Sequence, residues 1–225
     1  MNRTEPRLQV ILFLAAFFAL WTIRATWLIR FDQSIQSSEI RVAFATLVKV
    51  LLWTIPAALF GYWARRANPI QYLGLSVLPK TKTWAICLLA ISLFCILILS
   101  FELLVGHKSL SLGTQSVASI PSKISIFVVS PFVEEMLFRG LILKELSAFV
   151  RPAISNIVAS ILFVGIHLPY WISSGVQLRE IASTSIGILL FSLFAGWLYS
   201  FSKSIWPPTA AHITNNILSS LISAR

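Results

Sequence analysis

The sequence predicts an all-α fold, a polytopic transmembrane bundle of about seven spans, and three observations carry that prediction. Hydrophobic residues make up 57% of the chain and charged ones only 12%, with a mean hydropathy of +0.83, a balance that a soluble domain does not sustain. Apolar runs of about 20 residues recur from end to end, and at ~1.5 Å rise each run covers the ~30 Å hydrocarbon layer of a bilayer. Basic residues gather at the ends of those runs and in the connections between them. The formal net charge of +10 therefore reads as orientation in the membrane and contact with anionic lipid, not as a nucleic-acid surface. The expected place is the inner membrane of a bacterium, as a multi-pass protein.

The spans follow in order, within a single transmembrane domain over 1–225. Two N-terminal spans occupy 8–64. The first, Leu8 to Ile29, is too long for a signal peptide and lacks a small-residue cleavage site, so it is expected to be retained. Trp21 and Trp27 are candidate interface anchors, and Arg24 can snorkel toward the end of the span. The second, Val42 to Ala64, contains Lys49, read either as snorkelling or as meeting a partner on another helix, and Pro56, which can kink it. A basic connection follows, with Arg65, Arg66, Lys80 and Lys82; its Tyr72-Leu73-Gly74-Leu75 patch is expected at the interface.

Five spans are expected over 84–222. The third, Trp84 to Val105, holds Cys87 and Cys95, which eight residues of helix keep ~12 Å apart, beyond disulfide reach. Glu102 near its end is expected at the interface. The loop Gly106 to Pro121 is polar and mobile by composition and carries His107 as a solvated residue. The fourth, Ile124 to Leu143, holds Glu134, Glu135 and Arg139, with Ser130-Pro131 expected to kink or restart the helix just before the acids. A helix start there favours carboxylate charge through the backbone dipole. Lys144, Glu145 and Arg151 mark the next loop. The fifth, Pro152 to Tyr170, contains Phe163 and His167 on one face. The sixth, Ile181 to Phe201, has Gly187 and Gly196 for close packing. The seventh, Pro207 to Ile222, contains His212 and Asn216, again four apart.

The chemistry concentrates in these last spans. Ionisable groups in a bilayer cost several kcal/mol, so they are rare there and mark function. Glu135 and Arg139 are spaced to pair on one helix face, which leaves Glu134, roughly 100° round the helix, for another task. A lone buried histidine is more often a hydrogen-bonded core residue than a catalyst, and a lone Glu–Arg pair is more often structural. Here two of three histidines and the adjacent acids Glu134 and Glu135 fall in predicted spans with few other polar partners, so convergence is the least costly arrangement. A protease in lipid needs a water, a base, oxyanion donors and a wet cavity. Glu134 suits the base, His167 a sharer of the water or a proton relay, and His212 with Asn216 the oxyanion donors.

Glu-Glu-x-x-x-Arg at 134–139, Phe-x-x-x-His at 163–167 and His-x-x-x-Asn at 212–216, in that order, resemble the CPBP family of intramembrane glutamic proteases (CAAX protease and bacteriocin-processing, also called ABI). The likeness covers roughly residues 70 to 222, with the motifs in 131–216. It implies that Glu134 activates water with His167, that Glu135 and Arg139 orient the site, that His212 and Asn216 form the oxyanion hole, and that Phe163 packs against it. The family's best-understood prenyl-protein proteases resemble eight-span bundles. The expectation here is therefore a hydrolase acting on a membrane-associated protein or peptide, with C-terminal tail processing. Two glutamates and two histidines can bind zinc, yet there is no His-Glu-x-x-His and an arginine stands beside the acids, so no cofactor is expected. The competing readings are a non-catalytic membrane immunity or partner-binding protein, and a transporter using the acids as carriers. No inverted repeat of broken helices supports the latter.

Overall fold

A computed structural model describes residues 4–104, 108–110 and 120–224. Eight helices stand among the described residues: α1 Glu5–Ser34, α2 Ser38–Ala64, α3 Pro69–Tyr72, α4 Thr81–Leu104, α5 over 120–147, α6 Pro152–Ser173, α7 Leu178–Ser202 and α8 Trp206–Ser220. Strands β1 Lys108–Leu110 and β2 Ile222–Ala224 pair antiparallel and join the end of α4 to the end of α8. The all-α expectation holds apart from this small ribbon, which lies partly in the stretch read as a mobile loop. His107 lies outside the described residues.

Five helices, α1, α2, α4, α6 and α7, are long and apolar enough to cross a membrane. Their apolar side chains point largely outward, as with Leu89, Leu97 and Ile161. The other two predicted spans are helices of a different kind. α8 has only 15 residues. α5 carries Glu134, Glu135 and Arg139, and its second half, which holds them, is enclosed: Val133, Met136, Leu137, Phe138, Leu141, Ile142 and Leu143 are all buried, whereas Ile120, Ile124 and Ile126 in the first half face outward. A helix with three charges is tolerable in lipid when other helices, not acyl chains, surround it. α5 is thus the axis, and the apolar spans wrap it.

Several local expectations are corrected. Pro131 does not restart α5: Ser130 is helical (φ −60°, ψ −53°) and caps nothing, because wide π-type turns over Ser125–Val129 absorb the proline. The two acids therefore sit inside a continuous helix, without the field of a helix start. A second wide stretch, Phe138–Leu143, follows them directly. Lys144 and Glu145 lie on the last turn of α5 rather than in a loop. Arg24 does not snorkel. It is buried and paired with Asp32 two turns on, across wide turns at Arg24–Leu28; a carboxylate in the same helix is a nearer partner than a lipid headgroup. Trp21 turns inward, while Trp27, 76% exposed, faces out as an anchor would.

The Tyr72–Leu73 patch is buried, not interfacial. α3 starts on an Asn68 cap, whose side chain accepts from the Ile70 N–H at 2.9 Å, and it presses against α5. Gly140 makes this approach possible: a Cβ there would stand 2.5 Å from the Leu73 carbonyl oxygen. The Tyr72 hydroxyl donates to Glu145, and Arg65 holds the same carboxylate through Nε at 3.0 and 3.1 Å and Nη2 at 2.6 Å. Arg65 also reaches Gln9 and the Pro6 carbonyl of α1. Burial, and then the bond to Glu145, push the Tyr72 phenol well above its ordinary range. One end of the bundle is thereby tied through a single buried carboxylate. Of the two glycines of α7, Gly196 meets Asn156 of α6 closely, whereas Gly187 has nothing within 4 Å of where a Cβ would be.

Candidate active site

The polar groups of the enclosed helix are held from three sides. Arg139 lies one turn after Glu135 on the same face, and its Nη1 stands 3.1 Å from Oε1 and 3.0 Å from Oε2 of that carboxylate. The contact to Oε1 has hydrogen-bond alignment; the one to Oε2 is charge proximity, since that oxygen has no aligned donor. The other guanidinium nitrogen, Nη2, donates to the carbonyl oxygen and Oγ of Ser192 on α7, at 2.8 and 2.9 Å. The guanidinium carbon sits 5.0 Å from the centre of the Phe163 ring. Glu135 and Arg139 are almost wholly inaccessible.

Across from them, α8 brings His212. Its Nδ1–H donates to Glu135 Oε1 at 2.8 Å, and its Nε2 lies 3.7 Å from Glu134 Oε2. The imidazole is packed between Phe163 and Phe191, with ring centres 5.8 and 4.9 Å away. His212 therefore hydrogen-bonds Glu135 and stands close to Glu134. For Nε2 to donate as well, the ring must be an imidazolium.

Glu134 is held at its other oxygen. Lys49 of α2 donates to Glu134 Oε1 and to Ser130 Oγ, and Ser130 in turn donates to the same Oε1 at 3.3 Å. The ammonium lies 5.0 Å from the centre of the Trp53 ring. Of the two readings of Lys49 left open by the sequence, the partner on another helix is the one found. The Lys49 ammonium and the His212 ring thus flank the Glu134 carboxylate, one at each oxygen.

His167 stands where α6 breaks. The helix stops at Gly165 and resumes at Leu168, with Pro169 in the new first turn. His167 Nδ1 hydrogen-bonds the Phe163 carbonyl at 2.9 Å; because a carbonyl only accepts, Nδ1 carries the proton and a neutral ring presents its Nε2 lone pair. Trp171 stacks on the imidazole at 5.4 Å. The Ile166 carbonyl beside the break is satisfied by the Trp21 indole at 2.7 Å.

A cavity of about 370 Å³ opens beside this network, between α4, α6, α7 and α8. His167, His212 and Asn216 line it, with the Phe94, Phe163 and Phe191 rings as walls and Ser183, Thr184 and Ser219 as hydroxyls. Glu134 and Glu135 are not in the lining; Glu134 lies behind it, next to His212. Asn216 Nδ2 donates to the Ile126 carbonyl at 3.2 Å, opposite the first wide turns of α5. Glu102, expected at the interface, lines the cavity too. All six residues singled out from the sequence thus fall on this network or on the adjoining cavity wall.

Three members of the network carried weak signals or none in the sequence. Lys49 was visible as a charge in an apolar run but had no nameable partner. Ser192 is one serine among several on α7. Trp21 looks like any interfacial tryptophan. A contact across helices leaves no periodic trace in either strand of sequence.

Residues 116–218 match a family model described as type II CAAX prenyl endopeptidase, Rce1-like. No curated protein and no solved structure matches the chain. The matched stretch holds α5 to α8 and every motif residue, and the helices around it have the length and apolarity of an integral membrane protein. Over residues 116–218, a little under half of its length, the chain is thus similar to the Rce1-like type II CAAX prenyl endopeptidases, in agreement with the resemblance that its three motifs carry.

Proposed function

We infer that the protein is an intramembrane glutamic endopeptidase that hydrolyses a peptide bond in a membrane-associated protein or peptide, with a C-terminal tail as the segment removed. One observation carries this reading: two imidazoles, those of His167 and His212, line a single cavity, and Glu134 lies directly behind His212.

The roles follow from the donors and acceptors. A water between Glu134 Oε2 and the free Nε2 of His167 meets two acceptors, which orient its lone pair toward a carbonyl in the cavity. As its oxygen bonds to the carbonyl carbon, one O–H bond breaks and Glu134 takes the proton. The carbonyl π electrons move to oxygen, where the imidazolium Nε2–H of His212 and the Asn216 amide donate. Collapse of the tetrahedral species breaks the C–N bond as Glu134 returns its proton to the leaving amine. Glu135, held between Arg139 and His212, orients the latter. No metal enters this scheme: Lys49 occupies Glu134 and Arg139 occupies Glu135, so each carboxylate already has its cation.

A second reading rests on the Lys49–Ser130 contact, which has the composition of a serine–lysine dyad. Against it, the same ammonium is engaged by Glu134. Purified protein in liposomes, given a farnesylated CAAX peptide, its unlipidated twin and a single-span tail peptide, tests both. Glu134→Gln is expected to lower cleavage about 10²–10⁴-fold and Ser130→Ala to leave most of it. Full cleavage by Glu134→Gln removes the glutamic mechanism; loss in Ser130→Ala alone moves the chemistry to the serine.

A further inference from the structure

The matched segment begins at residue 116, yet the closest polar contact to the inferred base comes from outside it, from α2. Lys49 bonds Glu134 and Ser130 together, and the Trp53 and Trp21 rings lie 5.0 and 5.9 Å from its ammonium. We propose that Lys49 is a positioning residue for Glu134: it fixes Oε1, leaves Oε2 as the working oxygen, and keeps a cation beside the base through the reaction. This rests on the protease reading above.

Geometry gives the first part. A glutamate side chain has three rotatable bonds, and in an apolar bundle an ionised one turns to whichever donor is available. With Oε1 held by an ammonium and a hydroxyl, the plane of the carboxylate is set. Its second oxygen then lies on the His212 side, 3.7 Å from Nε2. Charge gives the second part. Before attack, Lys49 and Glu134 cancel. When Glu134 takes the proton of water it becomes neutral and the charge passes to the substrate oxygen, so the lysine remains as a counter-charge in a medium that screens poorly. Lysine keeps its own protons throughout, and no other reactant is needed. The two N-terminal helices thus supply part of the reactive centre, not only an anchor.

The test compares Lys49→Met, Lys49→Arg, Glu134→Gln and the double variant Lys49→Met/Glu134→Gln in liposomes. Rates are read with the single-span tail peptide and the farnesylated CAAX peptide, and melting temperatures in detergent. Lys49→Met is expected to lower kcat about tenfold to a hundredfold, by analogy with the loss when a group that orients a metal ligand is removed, with KM little changed and partial rescue in Lys49→Arg. It is also expected to melt earlier than the parent, with the double variant recovering most of the shift, because a neutral amide no longer needs the ammonium. An unaltered kcat in Lys49→Met, or a double variant that melts no later than Lys49→Met, overturns the proposal. If the parent cleaves neither peptide, the protease reading falls, and the melting comparison still decides whether Lys49 holds Glu134.

Discussion

Replacing Arg139 by methionine offers the sharpest check on how the centre of the bundle is held. The methionine fills much of the same volume but removes the charge facing Glu135, the two hydrogen bonds to Ser192 and the cation over Phe163. Glu135 would keep only His212, in a site with no accessible surface. Breaking a buried pair from one side costs about 3–5 kcal/mol, because the surviving charge stays desolvated. At about 2–4 °C per kcal/mol for chains of this size, the melting temperature should fall by about 6–20 °C. Arg139→Lys should recover little, since one ammonium cannot reach Glu135 and both oxygens of Ser192 in the fork geometry of a guanidinium. Arg139→Met/Glu135→Gln should recover a large part, since the stranded charge is gone. The assay is thermal unfolding in detergent micelles, followed by tryptophan fluorescence. If Arg139→Met melts within a degree or two of the parent, or if adding Glu135→Gln brings no recovery, the account of α5 as a charged axis stabilised by its neighbours is wrong.

Gly187→Leu should cut peptide cleavage while leaving the melting temperature unchanged, because its side chain enters the cavity where no atom stands within 4 Å of the Cβ position; unchanged turnover would place the substrate elsewhere. Gly140→Ala should destabilise by about 1–3 kcal/mol, since a methyl group collides with the Leu73 backbone and the helix has no room to retreat; denaturant titration reads it. Tyr72→Phe should cost about 1–3 kcal/mol by leaving the buried Glu145 short of a donor. The raised phenol adds a pH dependence. The folded protein favours the protonated tyrosine, so this stabilisation is complete below the unfolded value, about 10, and is lost as pH climbs beyond it. The gap in melting temperature between parent and Tyr72→Phe should narrow above that pH, and a gap that widens would contradict the assignment.

Hydrophobic runs made the helices legible because lipid imposes length and composition on any segment that crosses it. Glu135 with Arg139 was legible for a related reason: two residues of one helix have a relative position fixed by the helix itself. What the chain did not disclose are contacts between helices. Lys49 stood out as a cost without a payer until α2 was seen beside α5. The inward turn of Trp21 follows from an orphaned carbonyl at the break in α6, and nothing near Trp21 in the sequence marks it. At Pro131 the sequence left two readings, a kink or a new helix, and only the second is overturned. A helix can accommodate a proline by widening its preceding turns, and here it carries on without a break. The short apolar context of Tyr72 and Leu73 points to the membrane interface, whereas Gly140, far along the chain, opens a berth for them inside.

The brevity of α8 has a consequence for where such a protein works well. Fifteen residues extend about 22 Å, some 8 Å less than the ~30 Å of hydrocarbon in an average bilayer. Since α8 carries His212 and Asn216, the mismatch falls on the wall that holds the proposed oxyanion donors. Acyl chains beside it must thin, or headgroups and solvent must dip toward the imidazole. Turnover should then follow lipid tail length, quickest in short-tailed vesicles and slowing as the tails lengthen.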